Sequence, residues 1–367
     1  MADASSRHLV HVFPTFAVGG SQMRFSRLIL LHGSRYRHTV IAIDDDLTMA
    51  ARLPRGVDVR YLRVTSGHRS SLEGVVGAWR TLKEIRPDIL VTYNWGSMDW
   101  SIAKRFHARL RHVHIEDGFG PEEKDRQLRR RIFSRRFILN EPHTTVVVPS
   151  KRLETIAMDI WRLPRKGVRN IPNGIDCGRF AVKSGRHDCD EIVVGTVASL
   201  RPEKNLGRLI ELFCKAQLHH LSNRMKLLIV GDGSERKALE QAAARSAFAD
   251  RIVFAGATSR PEDFLATMDI FALTSDTEQM PLSVLEAMAS GLPVLSFHVG
   301  DVPSMVAIEN VAMASVSLTD GKSYVDALLR LARDPDLRAR IGKANRETAT
   351  ARFDEKIMAT AYADLFG

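Results

Sequence analysis

The stretch DIFALTSDTEQMPLSVLEAMASGLPVL at 269–295 joins an apolar run, a polar turn, an apolar helical segment and a second apolar run. Continuous apolar runs of this length fit strands that are buried on both faces of a parallel sheet, and the segment between them fits a crossover helix. Two carboxylates flank the turn, Glu278 just before the helix and Glu286 two turns into it. Their spacing fits either two solvated surface charges or two sides of a binding site.

The same alternation recurs along the whole chain. Six strand candidates lie in the first half, at 8–13, 38–43, 57–62, 88–93, 111–116 and 144–148. Five more lie in the second half, at 191–199, 226–231, 251–256, 269–275 and 292–297. Because amphipathic helical patterns separate most of these runs, the sequence predicts two α/β domains, each a doubly wound parallel sheet of the Rossmann type.

A loop marks the expected boundary between the two domains. NIPNGIDCGRF at 170–180 contains Pro and Asn-Gly, and a polar stretch at 183–191 follows it. We therefore expect a first domain at 1–180 and a second at 181–351. The final amphipathic helix, 352–367, is expected to pack back on the first domain.

Composition narrows the class of protein. The chain has 367 residues, which favours two domains, and a formal net charge of +10, which favours an anionic partner. Its three cysteines lack metal-ligand spacing and favour a reducing compartment. No segment has the length and apolar character of a signal peptide core or a membrane span, so we expect a cytoplasmic protein whose membrane contact, if any, is peripheral.

The turn after 269–275 has the chemistry of an anion site. Pro281 fits the first helical turn, where its missing N–H costs nothing. The backbone N–H groups that are then left for a ligand belong to Met280, Leu282 and Ser283. A diphosphate fits such a helix N-terminus. Glu286 can accept hydrogen bonds from the two hydroxyls of a ribose, and Glu278 can reach the hydroxyls of a sugar beyond the phosphates.

A basic loop follows the strand candidate at 191–199. Arg201 and Lys204, in RPEKN at 201–205, can neutralise phosphates and stabilise a leaving diphosphate. With these two cations and a helix N-terminus present, a divalent metal is not required. We therefore expect neither a metal nor any other cofactor.

These segments resemble glycosyltransferase family 4, also described as glycosyl transferases group 1. The signature E-x7-E is formed by Glu278 and Glu286, and E-A-M-A-x-G-x-P-V follows it. The segments that extend the resemblance are IPNGID, VASLRPEKNLGRLIELF, LLIVGDGSERKALE, RIVFAG, VGDVPSMV and RFDEKIMATAYADLF. The resemblance implies the GT-B fold, two Rossmann-like domains facing a central cleft, and a retaining, metal-independent hexosyltransferase. The implied donor is a nucleotide-diphosphate sugar, most often linked to UDP or GDP.

The resemblance also assigns roles to residues in loops. Gly19 and Gly20 correspond to a glycine loop that faces the donor phosphate and the acceptor, and Gly231 and Gly233 to a loop near the nucleotide base. In many relatives an arginine precedes the lysine where Ser199 stands here, and Arg201 takes that role. Relatives often carry a histidine after the fifth strand that contacts the donor sugar. Here either His114 serves, or Asp117 replaces the imidazole and acts as a base toward the acceptor hydroxyl. His114 also fits an inward-facing residue of the strand.

The acceptor and the cellular role stay open at this level. A glycan, a glycolipid or a small molecule fits, and the basic first half favours bacterial cell-surface polysaccharide or glycolipid synthesis. The arginine-rich segment RQLRRRIFSRRF at 126–137 is either a solvated face or a contact with anionic lipid at the inner face of the plasma membrane. No helix-turn-helix, zinc or RNA-binding motif accompanies it, so nucleic acid is not expected.

Two other functions remain as alternatives. A sugar-nucleotide epimerase of the same fold would convert the donor without an acceptor, and a non-catalytic protein could bind anionic polymers. A nicotinamide dehydrogenase is disfavoured because G-x-G-x-x-G follows the first strand of neither domain. The D-x-D patterns at 44–46 and 188–190 fit a helix cap and a linker better than a metal site.

Overall fold

The computed structural model describes residues 6–54, 56–64, 71–119, 123, 127–180, 191–219 and 225–367. Backbone contacts divide the chain into two compact units. The first unit comprises 1–173 and 358–367, and the second comprises 174–357. These bounds differ from the expected domains 1–180 and 181–351, since the division falls earlier in the loop at 170–180.

The first unit is built on a seven-stranded parallel sheet with the order β3-β2-β1-β4-β5-β6-β7. Its strands are β1 (Arg7–Phe13), β2 (Tyr36–Ala42), β3 (Val59–Tyr61), β4 (Ile89–Tyr93), β5 (Arg111–Ile115), β6 (Thr144–Val148) and β7 (Val168–Asn170). Its helices are α1 (Gly20–His32), α2 (Ser71–Ile85), α3 (Met98–Lys104), α4 (Arg129–Leu139) and α5 (Lys151–Thr155). Six of these strands confirm the sequence prediction. The seventh, β7, was missed because three residues carry no usable periodicity.

The second unit is built on a five-stranded parallel sheet with the order β10-β9-β8-β11-β12. Its strands are β8 (Ile192–Val197), β9 (Met225–Val230), β10 (Ile252–Gly256), β11 (Ile270–Leu273) and β12 (Val294–Ser296). Its helices are α6 (Leu206–Gln217), α7 (Arg236–Ala244), α8 (Pro261–Leu265), α9 (Leu282–Ala289), α10 (Val302–Met305), α11 (Gly321–Arg333) and α12 (Pro335–Phe353). All five expected strands are present.

Each unit has apolar cores on its sheet, which is why the strands read as continuous apolar runs. The last helix, α13 (Glu355–Phe366), begins in the second unit and ends in the first. Its residues Met358, Tyr362 and Phe366 are buried in one core of the first unit, together with Phe13 and Phe25. Among the described residues, no helix is both long and apolar enough to cross a bilayer.

The strand orders place a topological switch point in each sheet. In the first unit the direction of winding reverses between β1 and β4, and in the second unit it reverses between β8 and β11. Loops at the carboxyl ends of such neighbouring strands diverge and leave a crevice, where ligands of open α/β sheets bind. The loops after β8 and β11 are those that carry Lys204 and Glu278.

Candidate active site

The switch point of the second unit brings Lys204 and Glu278 together. The lysine Nζ lies 2.6 Å from the glutamate Oε1, and Ser275 donates a hydrogen bond of 2.8 Å to the same oxygen. Both charged side chains are largely but not fully buried. The two residues belong to separate sequence segments, and the structure places them in direct contact.

An ion pair and a hydrogen bond connect the loop after β11 to α6 and its N-cap residue. Arg208 on α6 lies 3.0 Å from a carboxylate oxygen of Asp276, and Asn205 donates to the same carboxylate at 3.0 Å. Arg208 also donates to the carbonyl of Thr274 and stands over the ring of Phe297. These contacts fix the backbone on either side of Ser275, so the orientation of Glu278 is set by the fold.

The loop that follows β12 packs against the backbone of Glu278. Gly300 has a φ of +52°, and a Cβ atom built there would lie 2.4 Å from the carbonyl oxygen of Glu278. The N–H of Asp301 donates to the carbonyl of Gln279 at 2.9 Å. Only glycine fits at position 300 without moving the Glu278 backbone.

The helix that follows Glu278 begins one residue later than predicted. Pro281 is the N-cap residue of α9, with extended backbone angles, so the prediction that it occupies the first helical turn is wrong by one position. Leu282 and Ser283 are therefore the first two helical residues, and their N–H groups have no acceptor within the helix. Met280 is buried in the core of the second unit. The predicted anion site thus lies at the first turn of α9.

Glu286 lies in the second turn of α9 and is half-buried. Burial raises its pKa to about 7, the charge of Arg179 lowers that pKa, and the charge of Glu262 raises it. Arg179 lies 2.8 Å from Glu262 and also donates to the carbonyl of Ser259, so much of its charge is already compensated. A carboxylate in this position has a strong tendency to acquire hydrogen-bond donors.

Arg201 and the two glycines after β9 have different surroundings. Arg201 is exposed on the loop after β8. Gly231 has a φ of +140°, and a Cβ atom there would overlap the carbonyl oxygen of Ala198 at 1.8 Å. At Gly233 a Cβ atom would lie 2.4 Å from the carbonyl oxygen of Leu200. Both glycines are required for packing between two strand-exit loops, whatever their role toward a nucleotide base.

In the first unit, the Gly19-Gly20 loop follows β1 at the switch point. Gly20 is the first residue of α1 and Gly19 is its N-cap residue. The side chain of Gln22 donates to the carbonyl of Thr15 at 2.8 Å and holds the loop against the helix. A Cβ atom at Gly20 would meet no atom within 4 Å, which leaves space beside the backbone there.

Asp117, after β5, is held in a buried ion pair. Arg24 on α1 donates two hydrogen bonds to its carboxylate, at 2.6 and 2.8 Å, and a third of 2.9 Å to the side chain of Asn173. Burial opposes the charge on Arg24, but Asp117 outweighs it and raises the pKa of Arg24 above its ordinary value. Because both carboxylate oxygens accept from Arg24, Asp117 is poorly placed to take a proton from an acceptor.

His114 is fully buried on β5. Its Nδ1 lies 2.8 Å from the hydroxyl of Thr92, and its Nε2 lies 3.8 Å from a carboxylate oxygen of Glu116. His112 shares the same Thr92 hydroxyl at 2.8 Å. His114 therefore belongs to a polar network inside the first unit, and it exposes no atom to a sugar in this structure.

The D-x-D patterns give no metal site in the described part of the chain. Asp44 accepts the N–H of Asp46, and Asp46 accepts the N–H of Thr48. These are turn contacts after β2. The second pattern, 188–190, lies outside the described residues. Across the residues that the structure describes, no group of three or more His, Cys, Asp or Glu side chains could hold a metal ion.

Several residues that build the site were missed from the sequence. Ser275, Arg208 and Gly300 orient Glu278, and Arg24 pairs with Asp117. Ser275 and Gly300 lie within segments that were recognised, so their position at strand exits was an available signal. No sequence signal indicated a role for Arg24, since its partner Asp117 lies far along the chain.

Two family models match consecutive parts of the chain. "Glycosyltransferase Family 4" matches residues 18–179, and "Glycosyl transferases group 1" matches residues 179–348. The lipopolysaccharide core biosynthesis glycosyltransferase LpsD of Rhizobium meliloti is 34% identical over 140 residues, 38% of this chain and 40% of LpsD. Across LpsD and three further curated relatives, the matched segment spans 36 to 58% of their length.

A longer match is to an Escherichia coli UDP-Gal:alpha-D-GlcNAc-diphosphoundecaprenol alpha-1,3-galactosyltransferase. It is 26% identical over 283 residues, which cover 72% of this chain and 71% of that enzyme. Among solved structures, Anabaena HepE in complex with UDP and glucose superposes with a TM-score of 0.81 at 19% identity, over 98% of this chain and 99% of HepE. Structural matches of this kind confirm the expected GT-B fold.

Proposed function

The chain belongs to glycosyltransferase family 4 of the group 1 glycosyl transferases, and from this we propose that it transfers a sugar from a nucleotide-diphosphate donor to an acceptor hydroxyl. The acceptor is a glycan or glycolipid of bacterial cell-surface polysaccharide synthesis. The observation that carries the proposal is the contact between Lys204 and Glu278 at the switch point, one turn before a helix that presents Glu286.

The donor's nucleotide is proposed to bind the carboxyl edge of the second sheet. The diphosphate lies at the first turn of α9, where the N–H groups of Leu282 and Ser283 and the positive end of the helix favour negative charge. Lys204 adds a full positive charge. The ribose hydroxyls donate to Glu286, whose pKa is raised by burial in the free protein.

Glu278 is proposed to bind the hydroxyls of the transferred sugar. In the free protein Lys204 compensates its charge, and on donor binding the lysine can turn toward the phosphate while sugar hydroxyls replace it. The ion pair then serves as a preformed site with both groups in position. Such preorganisation lowers the cost of orienting charges during the reaction.

The chemical step exchanges one C–O bond for another. The bond from the anomeric carbon to the diphosphate oxygen breaks, and a bond from that carbon to the acceptor oxygen forms on the same face, which retains the anomeric configuration. The acceptor's proton passes to the leaving phosphate oxygen. Lys204 and the α9 N-terminus stabilise the negative charge that develops on the diphosphate. With these groups present we expect the reaction to need no metal ion.

Two of the proteins that this chain resembles are linked to UDP. The Escherichia coli galactosyltransferase acts with UDP-Gal, and HepE is solved in complex with UDP and glucose. We therefore propose a UDP-linked sugar, with GDP as the second choice.

Calorimetry with UDP, GDP and ADP tests the donor site, and a labelled UDP-sugar with a bacterial lipid and glycan extract tests transfer. We expect heat with UDP and labelled product in the extract. Absence of heat with all three nucleotides contradicts the proposal. An epimerised free nucleotide sugar, formed without any acceptor product, points instead to an epimerase.

A further inference from the structure

The outer side of α4 carries two exposed aromatic rings among arginines. Phe133 and Phe137 are 69% and 60% exposed, and their rings lie parallel with centroids 6.5 Å apart. Exposed arginines occupy the same helix at Arg129, Arg130 and Arg136. Together with Arg105 at the end of α3, these residues are called the α4 face.

The inner side of α4 explains why the rings point outward. Arg135 is fully buried, and it donates to both carboxylate oxygens of Glu123 at 3.0 and 3.2 Å and to Glu116 at 3.2 Å. It also stands against the rings of Trp95 and Trp161, at 5.0 and 4.9 Å. This network fixes the rotation of the helix, since turning the helix would leave buried charges without their partners.

Arg105 connects the aromatic rings to the neighbouring helix. Its guanidinium stands 4.4 Å from the ring centroid of Phe137 and donates to the Phe137 carbonyl at 3.0 Å, and Glu141 lies 2.8 Å from it. A recess of about 260 Å³ is lined by both phenylalanines, Arg105, Arg136 and Asn140. Aromatic and cationic groups therefore line one concave surface.

We propose that the α4 face docks on an anionic lipid surface. Exposed aromatic rings suit the boundary between head groups and acyl chains, and arginines at the same level attract anionic head groups. A second copy of the chain would bring like charges together. Duplex nucleic acid accounts for the arginines, but its bases are already stacked on one another and offer no partner for two exposed rings on the helix surface. This inference stands apart from the proposed function, because lipid binding needs no donor sugar.

Vesicle sedimentation tests the proposal with the full chain. Vesicles contain phosphatidylcholine alone, or two parts phosphatidylcholine to one part phosphatidylglycerol. We expect binding to the anionic vesicles that weakens with salt. The double variant Phe133→Ser/Phe137→Ser should bind at least about tenfold more weakly, because each ring loses apolar burial. Reversing the charges of Arg129, Arg130 and Arg136 to Glu should weaken binding on the order of 100-fold.

Matched controls lie in the second unit. Leu218→Ser/Ile308→Ser removes two apolar side chains that are 76% and 81% exposed. Arg330→Glu/Arg333→Glu/Arg340→Glu reverses three exposed charges on α11 and α12. Both controls should bind vesicles as the unchanged chain does.

Thermal melts and UDP calorimetry on every variant separate lipid binding from folding and from the donor site. Vesicle binding that is equal in test and control variants, or equal for neutral and anionic vesicles, overturns the proposal. So does tight binding to duplex DNA that depends on the arginines alone, if the chain leaves anionic vesicles unbound.

Discussion

The loop after β11 and the loop after β5 both lie at the carboxyl edge of a parallel sheet, yet the charged side chains in the two loops are paired in different ways. In the second unit, Lys204 and Glu278 share one short contact and are 23% and 9% exposed, and Glu286 is a half-buried carboxylate with a pKa of about 7. In the first unit, Arg24 and Asp117 form a two-bond pair whose side chains are 3% and 19% exposed. The charged groups in the loop after β11 can exchange their partners for a ligand, whereas those in the loop after β5 cannot.

The difference follows from what surrounds each pair. Arg24 also donates to Asn173, and burial of the neighbouring Tyr93 and Tyr362 raises the pKa of both phenols, that of Tyr362 to about 12. The Arg24 side chain is only 3% exposed, whereas the Lys204 side chain is 23% exposed, so exchanging the partner of Arg24 leaves a buried cation uncompensated. A loop after a strand that contains suitable charged residues is therefore a candidate site only if those residues can leave their ion-pair partners and contact a ligand. The predictions below test that distinction.

The largest effect is expected at Glu286. The variant Glu286→Ala removes two charge-assisted hydrogen bonds to the ribose, each contributing about 1.5 to 3 kcal/mol, so UDP affinity should fall on the order of 10² to 10⁴-fold. Calorimetry measures this directly. Glu309→Ala, at an exposed glutamate of the second unit, is the control and should bind as before. An affinity within threefold of the original would place the nucleotide elsewhere.

The first unit should respond in stability. Arg24→Met leaves the Asp117 carboxylate, which is only 19% exposed, without its partner, and the free energy of unfolding should fall by about 3 to 5 kcal/mol, measured by urea denaturation. Adding Asp117→Leu should restore much of the loss, since both charges are then gone. UDP affinity should not change in either variant. If instead Asp117→Asn folds normally while kcat alone collapses, Asp117 takes part in the reaction.

Lys204 should affect turnover more than binding. Lys204→Met removes a positive charge that the leaving diphosphate needs, and kcat should fall about 10² to 10³-fold, or about 2.7 to 4 kcal/mol. Lys204→Arg should recover part of the rate, because the charge is kept while its geometry changes. Lys215→Met, in an exposed pair with Glu211, is the matched control. A rise in KM with unchanged kcat would mean that Lys204 only binds the donor.

Much of the fold was predictable from the chain alone. Parallel strands buried on both faces leave long apolar runs, and 269–295 contains a complete strand-helix-strand unit. The short strand β7 and the exact start of α9 were not predictable, because three residues give no period and Pro281 suits both the N-cap and the position after it.

The candidate site was predictable only in part. Glu278, Glu286 and Lys204 lie in a recognisable signature and directly after strands. His114 is hydrogen-bonded to Thr92 and Asp117 is paired with Arg24, and both partners come from other elements of the first unit. Residue type and position at a strand exit are visible in a sequence, but burial and ion pairing at long range are not.

The smallest predicted effect is a pH dependence that belongs to Glu286 alone. Its pKa of about 7 lies above the ordinary value of 4.5, so the folded state holds a proton more tightly than the unfolded state. The stabilisation that this proton gives is fully present below about pH 4.5 and is lost as the pH rises toward and through about 7. This loss should lower the melting temperature of the free protein as the pH rises from about 4.5 to about 7. The variant Glu286→Gln should lack this part of the pH dependence.

UDP should reverse the sign of that dependence. The ribose hydroxyls donate to the carboxylate form, so protonation competes with binding, and UDP affinity should fall by up to about tenfold, or about 1.4 kcal/mol, for each pH unit below about 7. Above that pH it should level off. Calorimetry in one set of buffers from about pH 5 to 8 measures the slope for Glu286 and for Glu286→Gln, which should bind weakly but without the slope. Because the buried pair in the first unit does not exchange partners, Asp117→Asn should leave the slope intact. If the pH dependence of UDP affinity persists in Glu286→Gln and disappears in Asp117→Asn, the group that titrates is in the first unit and the comparison drawn here is wrong.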